Sequence, residues 1–69
     1  MRVIRLAEVK DKTGLAKSTI YKYVDMGIFP RPIYLGGRSV GWIDSEIHAW
    51  LQEKQVERDM THGASKGWL

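Results

Sequence analysis

Gly14-Leu15-Ala16-Lys17-Ser18-Thr19-Ile20-Tyr21-Lys22-Tyr23 is the stretch from which the rest of the chain can be placed. Upstream of it, Leu6 and Val9, with Thr13 one turn further on, keep helical spacing while Glu8, Lys10, Asp11 and Lys12 fill the other face, which predicts a short first helix. Gly14 permits the positive φ of a tight exit, and Leu15 can turn back into the core. A second helix follows at once. With Ile20 as reference and about 100° per residue, Ala16, Tyr23 and Val24 fall within roughly 60° of it and form the predicted core stripe. Ser18 and Lys22 point the opposite way, Tyr21 and Thr19 flank them, and Asp25 shares that face. Ser, Thr, Tyr and Lys stand where a surface helix usually carries Glu/Lys pairs. Such a face suits a polar, anionic partner, as the reading helix of a helix-turn-helix does.

Working outward, Met26-Gly27 closes the second helix and Pro30 and Pro32 forbid its continuation, so Phe29-Pro30-Arg31-Pro32 is expected to be extended. Ile33-Tyr34-Leu35 and Val40-Gly41-Trp42-Ile43 are β-prone runs around Gly36-Gly37-Arg38-Ser39, which predicts a hairpin with a basic tip. Asp44 is expected to cap a third helix, with Glu46 in its first turn, a core stripe of Ile47, Trp50 and Leu51, and fraying near Arg58. Val3-Ile4 is a short edge strand or an arm. Trp42 and Trp50 are expected to join hairpin to third helix as core residues. The expected architecture is mainly α with a small β-hairpin, a winged helix-turn-helix over 1–58, followed by a flexible tail over 59–69 in which Trp68 and Leu69 stand out.

The 69 residues include no cysteine, which leaves neither disulfides nor thiolate metal ligands and suits an intracellular protein. A chain this short builds one modest core, and an enclosed substrate cavity is not expected. No signal peptide and no membrane span of about 18 apolar residues is present, so a soluble, cytoplasmic protein without a membrane partner is expected. Charge is divided unevenly. Residues 1–43 hold eight basic side chains against three acidic ones, a net +5, whereas residues 44–69 hold three against five, a net −2. Positive potential therefore collects around the helix-turn-helix, as phosphate binding requires. Ser18, Ser39, Ser45 and Ser65 have no visible partner base. His48 and His62 read as surface histidines, too few for a metal site. Glu46 and Glu53 lie seven apart on one helix face with no cleft expected between them. Neither an enzyme nor a cofactor is indicated.

Taken together, several fragments carry a family resemblance: Ile4-Arg5-Leu6 with Glu8-Val9, Thr13-Gly14-Leu15, Lys17-Ser18-Thr19-Ile20-Tyr21, Gly27, Phe29-Pro30, Leu35 to Trp42, and Ser45-Glu46-Ile47 with Trp50 and Leu51. In this order they resemble the AlpA family of small phage and prophage regulators, relatives of MerR-like winged helix-turn-helix proteins and of phage excisionases. The resemblance covers nearly everything from Ile4 to Leu51. It implies a DNA-binding regulator that activates an integrase gene or helps excise an integrated element. Two positions depart from the pattern. Ala16 replaces the usual Ser, which removes a capping contribution of about 1 kcal/mol unless Ser18 caps instead and shortens the helix. Lys10 stands where an apolar residue is frequent, so its side chain must snorkel or the first helix packs less deeply.

On double-stranded DNA, Ser18, Thr19, Tyr21 and Lys22 are the candidates for reading base edges, with Lys17 near a phosphate at the helix start. Tyr21 has packing as its competing role. Arg38 and Ser39 at the hairpin tip, and Arg31 between its prolines, are the candidates for flanking backbone or minor groove. One module buries only about 600–1,000 Å² on DNA, so a homodimer or a cooperative array is expected, with an integrase as a further partner. The competing class is a small protein-interaction module, an antirepressor or assembly factor using the third helix and Trp68-Leu69 without direct DNA binding. RNA binding ranks lower, because no exposed aromatic platform on strands is evident.

Overall fold

The computed structural model describes residues 1–62, with side chains through Met60. Its elements run β1 (Val3–Ile4), α1 (Leu6–Thr13), α2 (Lys17–Asp25), β2 (Ile33–Gly36), β3 (Ser39–Ile43) and α3 (Asp44–His62). Three helices around a small antiparallel sheet make a winged helix-turn-helix. The expected tail residues Trp68 and Leu69 lie outside the described residues.

α1 stops where the sequence predicts. Gly14 takes φ 73° and its N–H reaches the Lys10 carbonyl at 2.7 Å. The Thr13 hydroxyl donates to the Val9 carbonyl at 2.8 Å and accepts the Leu15 N–H at 3.2 Å. That single side chain thus satisfies groups on both sides of the turn and returns Leu15 to the core, against which it packs. α2 ends in a Schellman motif, with Gly27 N–H on the Val24 carbonyl and Ile28 N–H on the Tyr23 carbonyl, both at 3.0 Å.

β3 is the central strand, in the order β1-β3-β2. The predicted hairpin is therefore extended by Val3-Ile4, which pair with Ile43 and Trp42 and act as a strand rather than an arm. On the other side Ile33 faces Gly41 and Tyr34 faces Val40, and the register shifts at Leu35 before Gly36 meets Ser39. β2 is an edge strand whose four residues are all exposed, Tyr34 at 85%.

Ile4, Val9, Ile20, Phe29, Trp42 and Ile47 form the core. Each comes from a different piece of the chain: β1, α1, α2, the α2–β2 link, β3 and α3. Full burial of one such side chain is worth about 1.5–3 kcal/mol, so six of them with their half-buried neighbours Leu6, Tyr23, Val24, Val40, Trp50 and Leu51 carry the fold. Among the described residues no buried side-chain polar atom lacks a partner.

Four expectations need correction. Ala16 is exposed, because it precedes the helix as its N-cap (φ −76°, ψ 158°) and so does not join the core stripe. Ser18 lies inside α2 and does not cap it; no side-chain cap bond is present at this end. Asp44 is the first residue of α3, and its carboxylate is drawn sideways to Lys12 and Arg2 rather than spent on capping. α3 also continues past Arg58 to His62, although every side chain from Gln52 to Met60 is exposed, so its second half holds by helix propensity and local pairs such as Lys54–Glu57. Lys10 is exposed, in keeping with a first helix buried mainly through Val9.

Candidate nucleic-acid interface

α2 is anchored by Ile20, which is fully buried, with Tyr23 and Val24 half-buried beside it. This fixes which face turns outward. Ser18 and Lys22 are exposed opposite Ile20, Lys17 and Tyr21 are exposed on the flanks, and Thr19 is half-buried. Asp25 is exposed at the far end of the helix. Tyr21 divides its side chain between two roles: 38% remains exposed, while its ring lies 6.1 Å from that of Trp42 at an interplanar angle of 60°. Because Ala16 provides no side-chain acceptor, the first-turn N–H groups of α2 are available to an anion approaching along the helix axis.

Arg38 is exposed at the hairpin tip. Gly36 and Gly37 adopt φ 116° and 54°, while Arg38 keeps a negative φ. A positive φ at only the first central residue of the two-residue loop is the pattern of a II′ turn, which matches the twist of the flanking strands and needs glycine where this chain has it. Ser39 is half-buried and paired with Gly36, so it supports the tip more than it projects from it. Arg31 is exposed in the link and lines a further surface: an open groove of about 750 Å³ shared with Ile28, Pro32, Trp50, Glu46 and Glu53. The expectation that Glu46 and Glu53 flank no cleft is thereby corrected. The link folds back along α3, and that long-range contact builds the groove.

Ion pairing sorts the basic residues into two groups. Arg2 lies 3.0 Å from Glu8 and 3.6 Å from Asp44, and Lys12 lies 2.8 Å from Asp44 and 3.7 Å from Glu8. This four-membered cluster ties β1, α1 and the start of α3 together. The hydrogen bond from Lys12, aided by the charges of Lys12 and Arg2, holds the Asp44 carboxyl below its ordinary value despite an opposing desolvation effect. By contrast Arg5, Lys10, Lys17, Lys22, Arg31 and Arg38 have no carboxylate at salt-bridge distance among the described residues. Four of these six are predicted site residues. Arg5, just before α1, and Lys10, on it, fall outside the predicted site, since a charge count alone does not reveal which lysines and arginines are already paired.

No group of three or more His, Asp or Glu side chains that could hold a metal occurs among the described residues. No described helix is long and apolar enough to cross a membrane. The surface as built can engage a polyanion through a helix face, an uncapped helix start and a basic hairpin tip.

Comparison with known proteins points the same way. The family model described as Prophage CP4-57 regulatory protein (AlpA) matches residues 2–55, from β1 into α3. Over 63 residues the chain is 44% identical to the uncharacterized protein ORF88 of Enterobacteria phage P4, covering 91% of this chain and 72% of that one. Over 60 residues it is 40% identical to the DNA-binding transcriptional activator AlpA of Escherichia coli strain K12, covering 78% of this chain and 86% of that protein.

Proposed function

The chain belongs to the AlpA family of prophage regulatory proteins, and from that premise we propose that it is a sequence-specific DNA-binding transcriptional regulator of an integrated element. α2 enters the major groove, where Ser18, Thr19, Tyr21 and Lys22 meet base edges and Lys17 with the helix start meets a phosphate. The wing lies on the flanking backbone or minor groove through Arg38, supported by Ser39, and Arg31 takes a nearby phosphate. The observation that carries this reading is the sorting of cations: Lys17, Lys22, Arg31 and Arg38 are exposed and without a carboxylate partner among the described residues, whereas Arg2 and Lys12 are neutralised within the fold. A cation that neutralises a phosphate releases a counterion from DNA, and one already held by carboxylates must give up those pairs to do so.

A single module covers too little DNA for specific regulation, so it acts as a homodimer or in a cooperative array. Its output is activation of an integrase gene, or direct excision with an integrase as partner, and its place is the cytoplasm with the DNA. The exposed second half of α3, with Val56 at 53% and Met60 at 81% exposure, favours a second reading in which the chain is a protein-interaction module without DNA contact.

A mobility-shift assay on duplexes from upstream of its own and neighbouring genes, at two salt concentrations, separates the two. Salt-sensitive retention of one such duplex over random DNA is the expected result, and salt-insensitive or absent binding favours the interaction module. Ser18→Ala combined with Lys22→Ala should weaken binding to the target more than to random duplex. Equal loss on both removes α2 as the reading element.

A further inference from the structure

The link between α2 and β2 joins the recognition helix to the wing, yet residues 28–32 carry no helix or strand hydrogen-bonding pattern, and two of them are prolines without an N–H. Two indoles hold it instead. Trp50, on α3, donates its Nε1–H to the Ile28 carbonyl at 2.7 Å. Trp42, on β3, donates its Nε1–H to the Pro30 carbonyl at 2.9 Å. The two carbonyls flank Phe29, which is buried to 4% exposure and meets Trp50 edge-to-face at 4.8 Å. Trp42 also faces Tyr21 of α2, so one side chain touches the recognition helix, belongs to the wing and bonds the link.

We propose that Trp42 and Trp50 are positioning residues for DNA binding: their paired indole N–H bonds clamp the Ile28–Pro30 backbone and hold the wing at the one offset from α2 that lets Lys22 and Arg38 engage the same duplex. The proposal rests on the DNA-binding reading above. The β1–β3 ladder holds the base of the wing from the far side; on the side of α2 apolar contact is non-directional, whereas two hydrogen bonds to carbonyls two residues apart fix both position and direction. Pro30 and Pro32 add to this by limiting the link's own freedom once its start is fixed by the Ile28 N–H bond to Tyr23.

Trp50→Phe tests it, because Trp50 is only half-buried and the variant keeps an aromatic ring against Phe29 while removing the donor. Binding to a random duplex is measured between 50 and 200 mM salt, alone and combined with Arg38→Ala. With the wing released, the slope of log K against log salt falls by about 0.9, so the variant loses about 3.5-fold less affinity over that range than the parent, and adding Arg38→Ala changes nothing further. In the free protein, NMR dipolar couplings should show the hairpin reorienting against α2. An unchanged slope, an additive effect of Arg38→Ala or an unchanged hairpin orientation overturns the proposal. A purely structural role for the tryptophan would lower the folded fraction and leave the slope as it was. Should Trp50→Phe fail to fold, the sulfur isostere benzothienylalanine at position 50 preserves the ring volume and deletes only the donor. If the parent itself shows no salt-dependent binding, the DNA-binding reading fails, while the dipolar couplings still decide whether the clamp orients the wing.

Discussion

Arg38→Ala is the most direct probe of the interface, because the structure supplies its own control. Arg38 projects from the hairpin tip with no carboxylate partner among the described residues, whereas Arg2, also exposed, is held 3.0 Å from Glu8 and 3.6 Å from Asp44. A cation that replaces one condensed counterion contributes about 0.9 to the slope of log K against log salt. Losing it should flatten the slope by that amount, so a rise from 50 to 200 mM salt costs the variant about 3.5-fold less affinity than the parent. Arg2→Ala should leave the slope unaltered, since its charge is already compensated inside the fold. Fluorescence anisotropy on a labelled random duplex at four or five salt concentrations measures both slopes without knowledge of the target site. Identical slopes for Arg38→Ala and the parent refute the wing contact, and an equal drop for Arg2→Ala refutes the division of the cations into free and neutralised sets.

Three further outcomes concern the fold. Ala16→Ser gives α2 the missing cap and should raise stability by about 1 kcal/mol, seen as a melting temperature higher by about 4–8 °C for a domain of this size. Gly41→Ala would place a Cβ 2.5 Å from Val3 Cγ1 and 3.1 Å from both the Ile4 carbonyl oxygen and Leu35 Cδ1, so the Val3 side chain must move and its neighbours give by a few tenths of an ångström, with an expected loss of about 1–3 kcal/mol in urea denaturation. The Asp44 carboxyl titrates lower in the folded chain than in the unfolded one, chiefly through the Lys12 hydrogen bond. Its stabilising effect is therefore complete above the ordinary aspartate value of about 3.9 and is lost as pH falls through the folded value, a dependence that Asp44→Asn should remove from an acid-denaturation curve.

Much of the helix-turn-helix is legible in the sequence because its signals are local. Gly14 ends α1, Ile20, Tyr23 and Val24 keep the helical period, and Gly36-Gly37 marks the turn. Ala16 misleads because the same wheel that places it inward assumes that it is already helical, and as the N-cap it is not. Phe29 shows no periodicity between Ile28 and Pro30, and its burial is decided by Trp50 from 21 positions away. Val3-Ile4 is too short to show a strand period, so only β3 reveals its register. α3 outlasts its expected end because exposed helix needs no apolar stripe to continue. At the candidate interface, the polar residue types of α2 and the hairpin tip can be read from the sequence, whereas the pairing of Arg2 and Lys12 with Glu8 and Asp44 is a tertiary fact.

The exposed β2 edge has a consequence for how the protein behaves in a concentrated cell. Ile33, Tyr34 and Leu35 present unpaired backbone groups and apolar side chains on an open strand, the arrangement that recruits a second strand into non-native sheet. This edge is only four residues long, interrupted at Leu35, preceded by Arg31-Pro32 and followed by Gly37-Arg38. Proline and like charge at the two ends act as gatekeepers against self-pairing. The arginines proposed to meet phosphate are thus also ones that guard this edge, and a chain neutral at both Arg31 and Arg38 should precipitate on overproduction.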